Sequence, residues 1–349
     1  MLTQNAITLL QDLIQIESFS KNESGTAKRL ELWFEQYNIP FQRKDHNLWA
    51  VNKDYDPEKP TLLLNSHHDT VQPNQAYTRD PFAADLVDGK LYGLGSNDAG
   101  GALVALLAMF THFYDYKNPT HNLLFVASAE EEIAGEKSLR GLLSELPKID
   151  LAIVGEPTLM QLAIAEKGLI VFDLVVKGTP SHAAHPNPNN PLMKLPEIIQ
   201  KIEELTFEKV SPILGPVKVT LTQIEAGNQH NVIPSEVKLV LDVRVNECYS
   251  NTEIKEYIQA ALPCEVTPRS LRLQSSSIDE NHPLVQAGKK LGRSVYGSPT
   301  LSDQAALSCP SLKLGPGDSR RSHSADEYIY VQEIEEGIAL YIELVKQIL

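Results

Sequence analysis

The chain has 349 residues, 42% of them hydrophobic and 22% charged. This composition excludes long disorder and fibrous repeats and, at ~100–200 residues per domain, suggests two domains. A net charge of −14 repels phosphate backbones and argues against a nucleic-acid partner. Cys248, Cys264 and Cys309 lack close spacing, which argues against a disulfide framework or a thiolate metal site. No Lys or Arg precedes Lys21, and no uncharged stretch is longer than Ala99–Tyr114. Neither a secretory signal nor a membrane span is predicted, and a soluble, cytoplasmic protein is the expectation.

In chain order, Ile7, Leu10, Leu13 and Ile14, then Ala27, Leu30, Trp33, Phe34 and Tyr37, recur at helical spacing up to Pro40. Thr61–Leu64, Leu123–Val126 and Leu151–Val154 are short, continuous apolar runs, the mark of strands buried on both faces of a mainly parallel sheet. Gly101–Phe110 between them reads as a buried crossover helix. From Gly168 the texture changes. Leu169–Lys177, Val217–Gln223 and Glu236–Val245 alternate, most clearly at Val237, Leu239, Leu241, Val243 and Val245, as strands with one wet face do. Helices at Leu192–Leu205 and Thr252–Leu262 and a short run near Cys264–Thr267 complete a β-α-β-β-α-β, ferredoxin-like order. The first texture then returns, with a helix at Pro283–Val295, a strand at Ser311–Leu314 and a terminal helix over Val331–Leu349. The fold class predicted is α/β: a mainly parallel-sheet domain from 1–167 and 279–349, interrupted by an inserted α+β domain at 168–278.

Open α/β sheets place ligands at the carboxyl ends of their strands. Five predicted strand exits carry His67-His68-Asp69, Ser96-Asn97-Asp98, Glu130-Glu131-Glu132, Gly155-Glu156-Pro157 and the loop with His323. Taken singly, Asp98 before two glycines could be a helix cap and Glu130–Glu132 a helix start. Together, two imidazoles and several carboxylates suit two divalent ions in nitrogen and oxygen sites.

The motifs Ser66-His67-His68-Asp69-Thr70, Gly95-Ser96-Asn97-Asp98-Ala99-Gly100-Gly101, Glu131-Glu132, Gly155-Glu156-Pro157-Thr158, Gly178-Thr179-Pro180-Ser181-His182-Ala183, Gly227–Pro234 and Ser322-His323-Ser324-Ala325-Asp326-Glu327 occur in order along nearly the whole chain. As a set they resemble the di-zinc amidohydrolases that include acetylornithine deacetylase, succinyl-diaminopimelate desuccinylase, aminoacylase and glutamate carboxypeptidase. The Gly315–His323 loop looks most like the acetylornithine deacetylase branch. Glu130 stands where that family usually has Asp, Gly100 replaces a frequent Lys, and His68 inside the first motif is unusual, the spacing to Asp69 favouring His67 over it as the ligand.

The resemblance implies two Zn²⁺, with Co²⁺ or Mn²⁺ able to substitute. Asp98 would bridge them, His67 and Glu156 completing one site and Glu132 with His323 the other, with a shared position left for water or hydroxide. Asp69 would hold the His67 tautomer and Glu131 would be the general base. His182 would reach across a homodimer interface, formed by the inserted domain, to stabilise the developing oxyanion. Asn231 and Arg244 would be substrate-binding candidates, and Arg320 and Arg321, beside His323, are further candidates for binding a substrate carboxylate. The function so implied is hydrolysis of an N-acyl amino acid. N-acetyl-ornithine, or its succinyl or citrulline analogue in arginine biosynthesis, leads; succinyl-diaminopimelate desuccinylase or a metal-dependent dipeptidase or carboxypeptidase is the alternative.

Overall fold

The computed structural model describes residues 1–117 and 119–349. The chain divides into two compact units. One is Met1–Ile164 with Ser277–Tyr296 and Ser302–Leu349; the other is Ala165–Ser276 with Gly297–Leu301. The short segment Gly297–Leu301, expected with the outer parts of the chain, groups with the second unit.

In the first unit the sheet order is Gln42–Lys44, Asn47–Val51, Asn122–Ser128, Thr61–His67, Leu151–Val154, Ser311–Lys313. Its four central strands are parallel. Thr61–His67 and Asn122–Ser128 are buried at every position. Leu62, Leu63 and Leu64 are fully shielded, each contributing about 1.5–3 kcal/mol of burial. A strand with no wet face needs layers on both sides. The helix Gly101–Phe113, buried almost all round, supplies one by packing on Thr61–His67, on Leu2–Ile14 and on the terminal helix Val331–Lys346. That last helix turns Ile334, Ile338, Tyr341 and Val345 inward, and the Tyr341 hydroxyl donates to the Leu314 carbonyl.

Two expectations need correction here. The helix predicted over Pro283–Val295 stops at Lys290, because Gly292 turns left-handed (φ +78°) and Arg293 N–H returns to the Gly288 carbonyl (3.1 Å). That is a glycine-terminated helix end, and Val295 instead opens the strand Val295–Ser298. The segment before Asp98 is not a strand of the main sheet. Lys90–Tyr92 pairs with Tyr328–Tyr330 and Leu86–Val87 in a separate three-stranded sheet, so four exits of the large sheet converge, not five.

The second unit has the strand order Lys218–Ala226, Glu236–Val245, Gly168–Lys177, Glu265–Pro268, all antiparallel, which is the ferredoxin-like arrangement. Register places Val237 opposite Val176, Leu239 opposite Leu174, Leu241 opposite Phe172 and Val243 opposite Ile170. This apolar face is covered by the helices Leu195–Glu203 and Asn251–Ala261 through Ile198, Ile202, Ile254 and Ile258. A bulge between Leu221 and Gln223 interrupts the edge strand.

Candidate metal centre

The first unit gathers its chemistry where the parallel strands end. His67 is the last residue of its strand and is buried; His68, next along, faces the other way because side chains alternate. His68 spends both ring nitrogens elsewhere, Nδ1 against Thr26 Oγ1 (2.9 Å) and Nε2 against the His46 carbonyl (3.0 Å). Burial drives it down to about 4, so it is a neutral packing residue. His67 Nδ1 lies 3.0 Å from the Asp69 carbonyl and 3.4 Å from Asp69 Oδ1. With the proton held there, Nε2 is left to face Asp98 Oδ1 (3.3 Å) and Glu156 Oε1 (3.8 Å).

Across the same site, His323 Nε2 lies 3.1 Å from Glu132 Oε2 and 3.6 Å from Asp98 Oδ2. Asp98 therefore presents one oxygen to each of two imidazole–carboxylate pairs, the geometry of a bridging carboxylate. Among the described residues, His67, Asp98 and Glu132 bring ligand atoms within 4.8 Å of one another. The donor set of two imidazoles and three carboxylates, crowded and charged, fits two divalent cations.

Electrostatics agree with that fit. Burial, then Asp98 and Glu132, push Glu156 up to about 8. Burial alone would favour a neutral His67 ring, but Asp69, Asp98, Glu131 and Glu156 outweigh it and hold His67 well above its ordinary value. The hydrogen bond to Glu132 raises His323 to about 9. Burial likewise drives Glu131 well above the usual carboxylate range, with Glu156, Asp303 and Glu132 adding to it. A carboxyl that can hold a proton beside a metal set has the property a proton shuttle needs.

The turn that carries the Glu pair is tied to the first motif. Asp69 Oδ1 accepts from the amide of Glu131 (3.1 Å), and Oδ2 accepts from the amide of Glu132 (3.2 Å) and from the Ser20 hydroxyl (2.7 Å). Asp69 thus fixes both His67 and the backbone of Glu131 and Glu132. Glu130 turns left-handed (φ +53°), and its carboxylate accepts from the Lys137 amide (3.2 Å).

Three contributors escaped sequence reasoning. Asp303 is buried; its Oδ2 accepts from the Ser128 hydroxyl at 2.5 Å and faces the Asn65 amide nitrogen at 3.2 Å. Burial lifts it to about 6. Asn97 joins two loops, its Oδ1 accepting from the Asp318 amide (3.0 Å) and its Nδ2 donating to the Asp318 carbonyl (3.1 Å). Gly317 (φ +91°) must be glycine there, since a Cβ would lie 2.5 Å from Asn97 Oδ1. Glu327 accepts from three amides of the Asp98 loop. The one available signal was its place, four residues past His323.

The remaining candidates lie as follows. Arg320 forks onto Asp318 (3.0 and 2.6 Å) and is otherwise solvent-exposed. Arg321 forks onto Glu333 (2.7 and 2.9 Å) and lies over the rings of Tyr328 and Tyr330. In the second unit, Arg244 forks onto Asp242 (2.9 and 3.0 Å). His182 and Asn231 are brought together there: Ser181–His182 pairs with Val232–Ile233, and the Ala183 amide donates to the Asn231 carbonyl (2.9 Å). No helix among the described residues is long and apolar enough to cross a membrane.

Comparison with known proteins adds an independent line. Residues 63–347 match the family described as peptidase family M20/M25/M40. A succinyl-diaminopimelate desuccinylase of Wolbachia pipientis is 26% identical over 371 residues, covering 97% of this chain and 92% of that protein. Among solved structures, an M20 family metallo-carboxypeptidase from Sulfolobus solfataricus superposes with a TM-score of 0.77 at 19% identity, covering 98% of this chain and 99% of that one. A dinuclear metal binding peptidase from Bacillus subtilis does so at 0.75 and 16% identity, covering 99% of this chain and 97% of that one.

Proposed function

The chain belongs to peptidase family M20/M25/M40, and from that premise we propose that it hydrolyses the amide of an N-acyl amino acid, releasing a carboxylate and a free amine. The observation that carries this reading is the placement of Asp98 between two imidazole–carboxylate pairs with Glu131 beside them. His67, Asp98 and Glu156 would hold one divalent cation and His323, Asp98 and Glu132 the other, zinc being the ion this donor set suits best. Such cations, when bound, supply Lewis acidity to the scissile carbonyl and to water.

Glu131 takes a proton from the attacking water and later returns it to the leaving nitrogen, a task its raised proton affinity suits. Asp69 keeps the Glu131 amide and the His67 ring in place throughout. His182 and Asn231 are the proposed donors to the substrate, and association with a second copy through the second unit belongs to the same proposal. Arg244, Arg320 and Arg321 each already hold a carboxylate, so any one that bound substrate would exchange an internal partner for it.

The desuccinylase name of the Wolbachia relative favours an N-succinyl substrate such as succinyl-diaminopimelate over N-acetyl-ornithine, which ranks second. The test is a substrate panel on the metal-loaded protein: succinyl-diaminopimelate, succinyl-ornithine, acetyl-ornithine, acetyl-citrulline and a dipeptide. An acylated amino acid, the succinyl-diaminopimelate first, is expected to be turned over fastest. A dipeptide turned over fastest, or no turnover with metal bound, would overturn the reading.

A further inference from the structure

Glu327 is outside the proposed ligand set, yet it is only 1% exposed. A carboxyl group so deeply buried needs partners for its oxygens, and among the described residues its donors come from one loop. Oε1 accepts from the amides of Asn97 (2.8 Å) and Asp98 (2.9 Å), and Oε2 from that of Gly95 (3.1 Å). The Glu327 carbonyl takes the Gly93 amide as well (2.9 Å).

Within the loop the Ser96 and Gly100 amides turn to the Gly93 and Gly95 carbonyls (3.1 and 3.0 Å), while those of Gly95, Asn97 and Asp98 turn to Glu327 instead. Gly95 turns left-handed (φ +74°) against Thr70, where a Cβ would lie 2.5 Å from Cγ2, and the helix Gly101–Phe113 begins only beyond Gly100. Without Glu327, three buried amides around Asp98 would lose their partners.

The same short segment carries the last imidazole. His323, left-handed at φ +56°, reaches Glu132 and Asp98. Next to Glu327, Asp326 accepts from the amides of Thr78 and Arg79 (both 2.9 Å) and from the Thr78 hydroxyl (2.5 Å). Residues 323–327 therefore deliver one ligand and grip the backbone of the shared one, while Asp326 fastens the segment to a different stretch of chain.

We propose that Glu327 is a positioning residue for the reaction: through the amides of Asn97 and Asp98 it sets where the shared carboxylate stands relative to His323, so that both cation positions depend on it together. The inference rests on Asp98 as the shared ligand. Were Glu327 merely filling a buried hole, its loss would lower thermal stability and leave the metal affinities of the folded protein unchanged.

Glu327→Gln keeps the length and one acceptor oxygen but sets a donor against an amide. Glu327→Asp keeps the carboxyl group and falls one methylene short. Leu239→Ala serves as the control, lowering stability from the core of the second unit while leaving the segment 323–327 and the Asp98 loop intact. Each metal-free full-length protein is titrated with Co²⁺ below its unfolding temperature, following the d–d absorption band, and turnover is measured with the best substrate of the panel.

Both Glu327 variants are expected to bind both Co²⁺ equivalents about 10–100-fold more weakly, with an altered absorption band. Their kcat should fall while KM stays within about twofold, and excess metal should restore much of the rate. Leu239→Ala should melt lower yet keep the parental band and affinities. Parental affinities and band in both Glu327 variants, or a loss confined to one cation, would overturn the inference. A parent that binds two Co²⁺ yet hydrolyses nothing on the panel would refute the proposed function and leave the titration standing as a test of Glu327.

Discussion

The two units solve the problem of a half-buried sheet in opposite ways. In the first, Thr61–His67 and Asn122–Ser128 are covered on both faces, so the side chains along them pack inside the unit and the polar groups, His67 among them, collect where the strands end. In the second, Gly168–Lys177 and Glu236–Val245 alternate buried with half-exposed positions, leaving one face open along its length. The contrast explains why the proposed metal donors sit at strand ends and loops of the first unit. It also gives the second unit a surface suited to a partner or substrate.

The contrast can be broken most sharply at the strand ends. Glu131→Gln removes the proposed proton shuttle but none of the proposed ligands, and should lower kcat about 10²–10⁴-fold while metal content stays at the parental level. A comparable loss of metal would show that Glu131 ligates.

Stability tests the two burial patterns directly. In the first unit, neighbouring substitutions Leu63→Ala and Leu64→Ala should each cost about 2–5 kcal/mol, since both faces are closed. In the second, Leu239→Ala should cost a similar amount and its exposed neighbour Lys238→Ala within about 0.5 kcal/mol. Urea unfolding of the four variants decides it, and equal costs at Leu239 and Lys238 would erase the distinction.

The smallest effect is on pH dependence. Glu156 and Glu327 at about 8, and Asp303 at about 6, keep protons that the unfolded chain releases near 4. Their stabilisation is complete only below the unfolded values and is lost as pH rises through the folded ones. His323, raised to about 9, has the same sign, its contribution fading above about 6.5. Asp69 and Asp98, held below the usual range, are ionised in both states across this window. The metal-free protein should therefore melt lower at about pH 9 than at about pH 6, and bound Zn²⁺ should shrink that difference. A metal-free melting temperature that climbs over this range would contradict the charge crowding.

Much of this was legible in the sequence because it is local. The two strand periodicities follow from neighbours two residues apart, and the choice of His67 over His68 from its spacing to Asp69. What was not legible depends on distant chain. Asp303 lies 175 positions from the Ser128 it bonds, and Glu327 lies 229 positions from Asp98; nothing near either acid marks it as buried. Arg320 and Arg321 suggested carboxylate binding correctly as chemistry, but their carboxylates are Asp318 and Glu333 of the same chain. The early helix end at Lys290 was readable from Gly292, had its left-handed turn been weighed above the apolar spacing.

The most direct test of the central claim is anomalous diffraction at the zinc edge from crystals of the zinc-loaded protein. The account predicts two ions, one against His67 and Glu156 and the other against Glu132 and His323, each touching a different oxygen of Asp98. A single ion, or a pair that leaves Asp98 untouched, would contradict it.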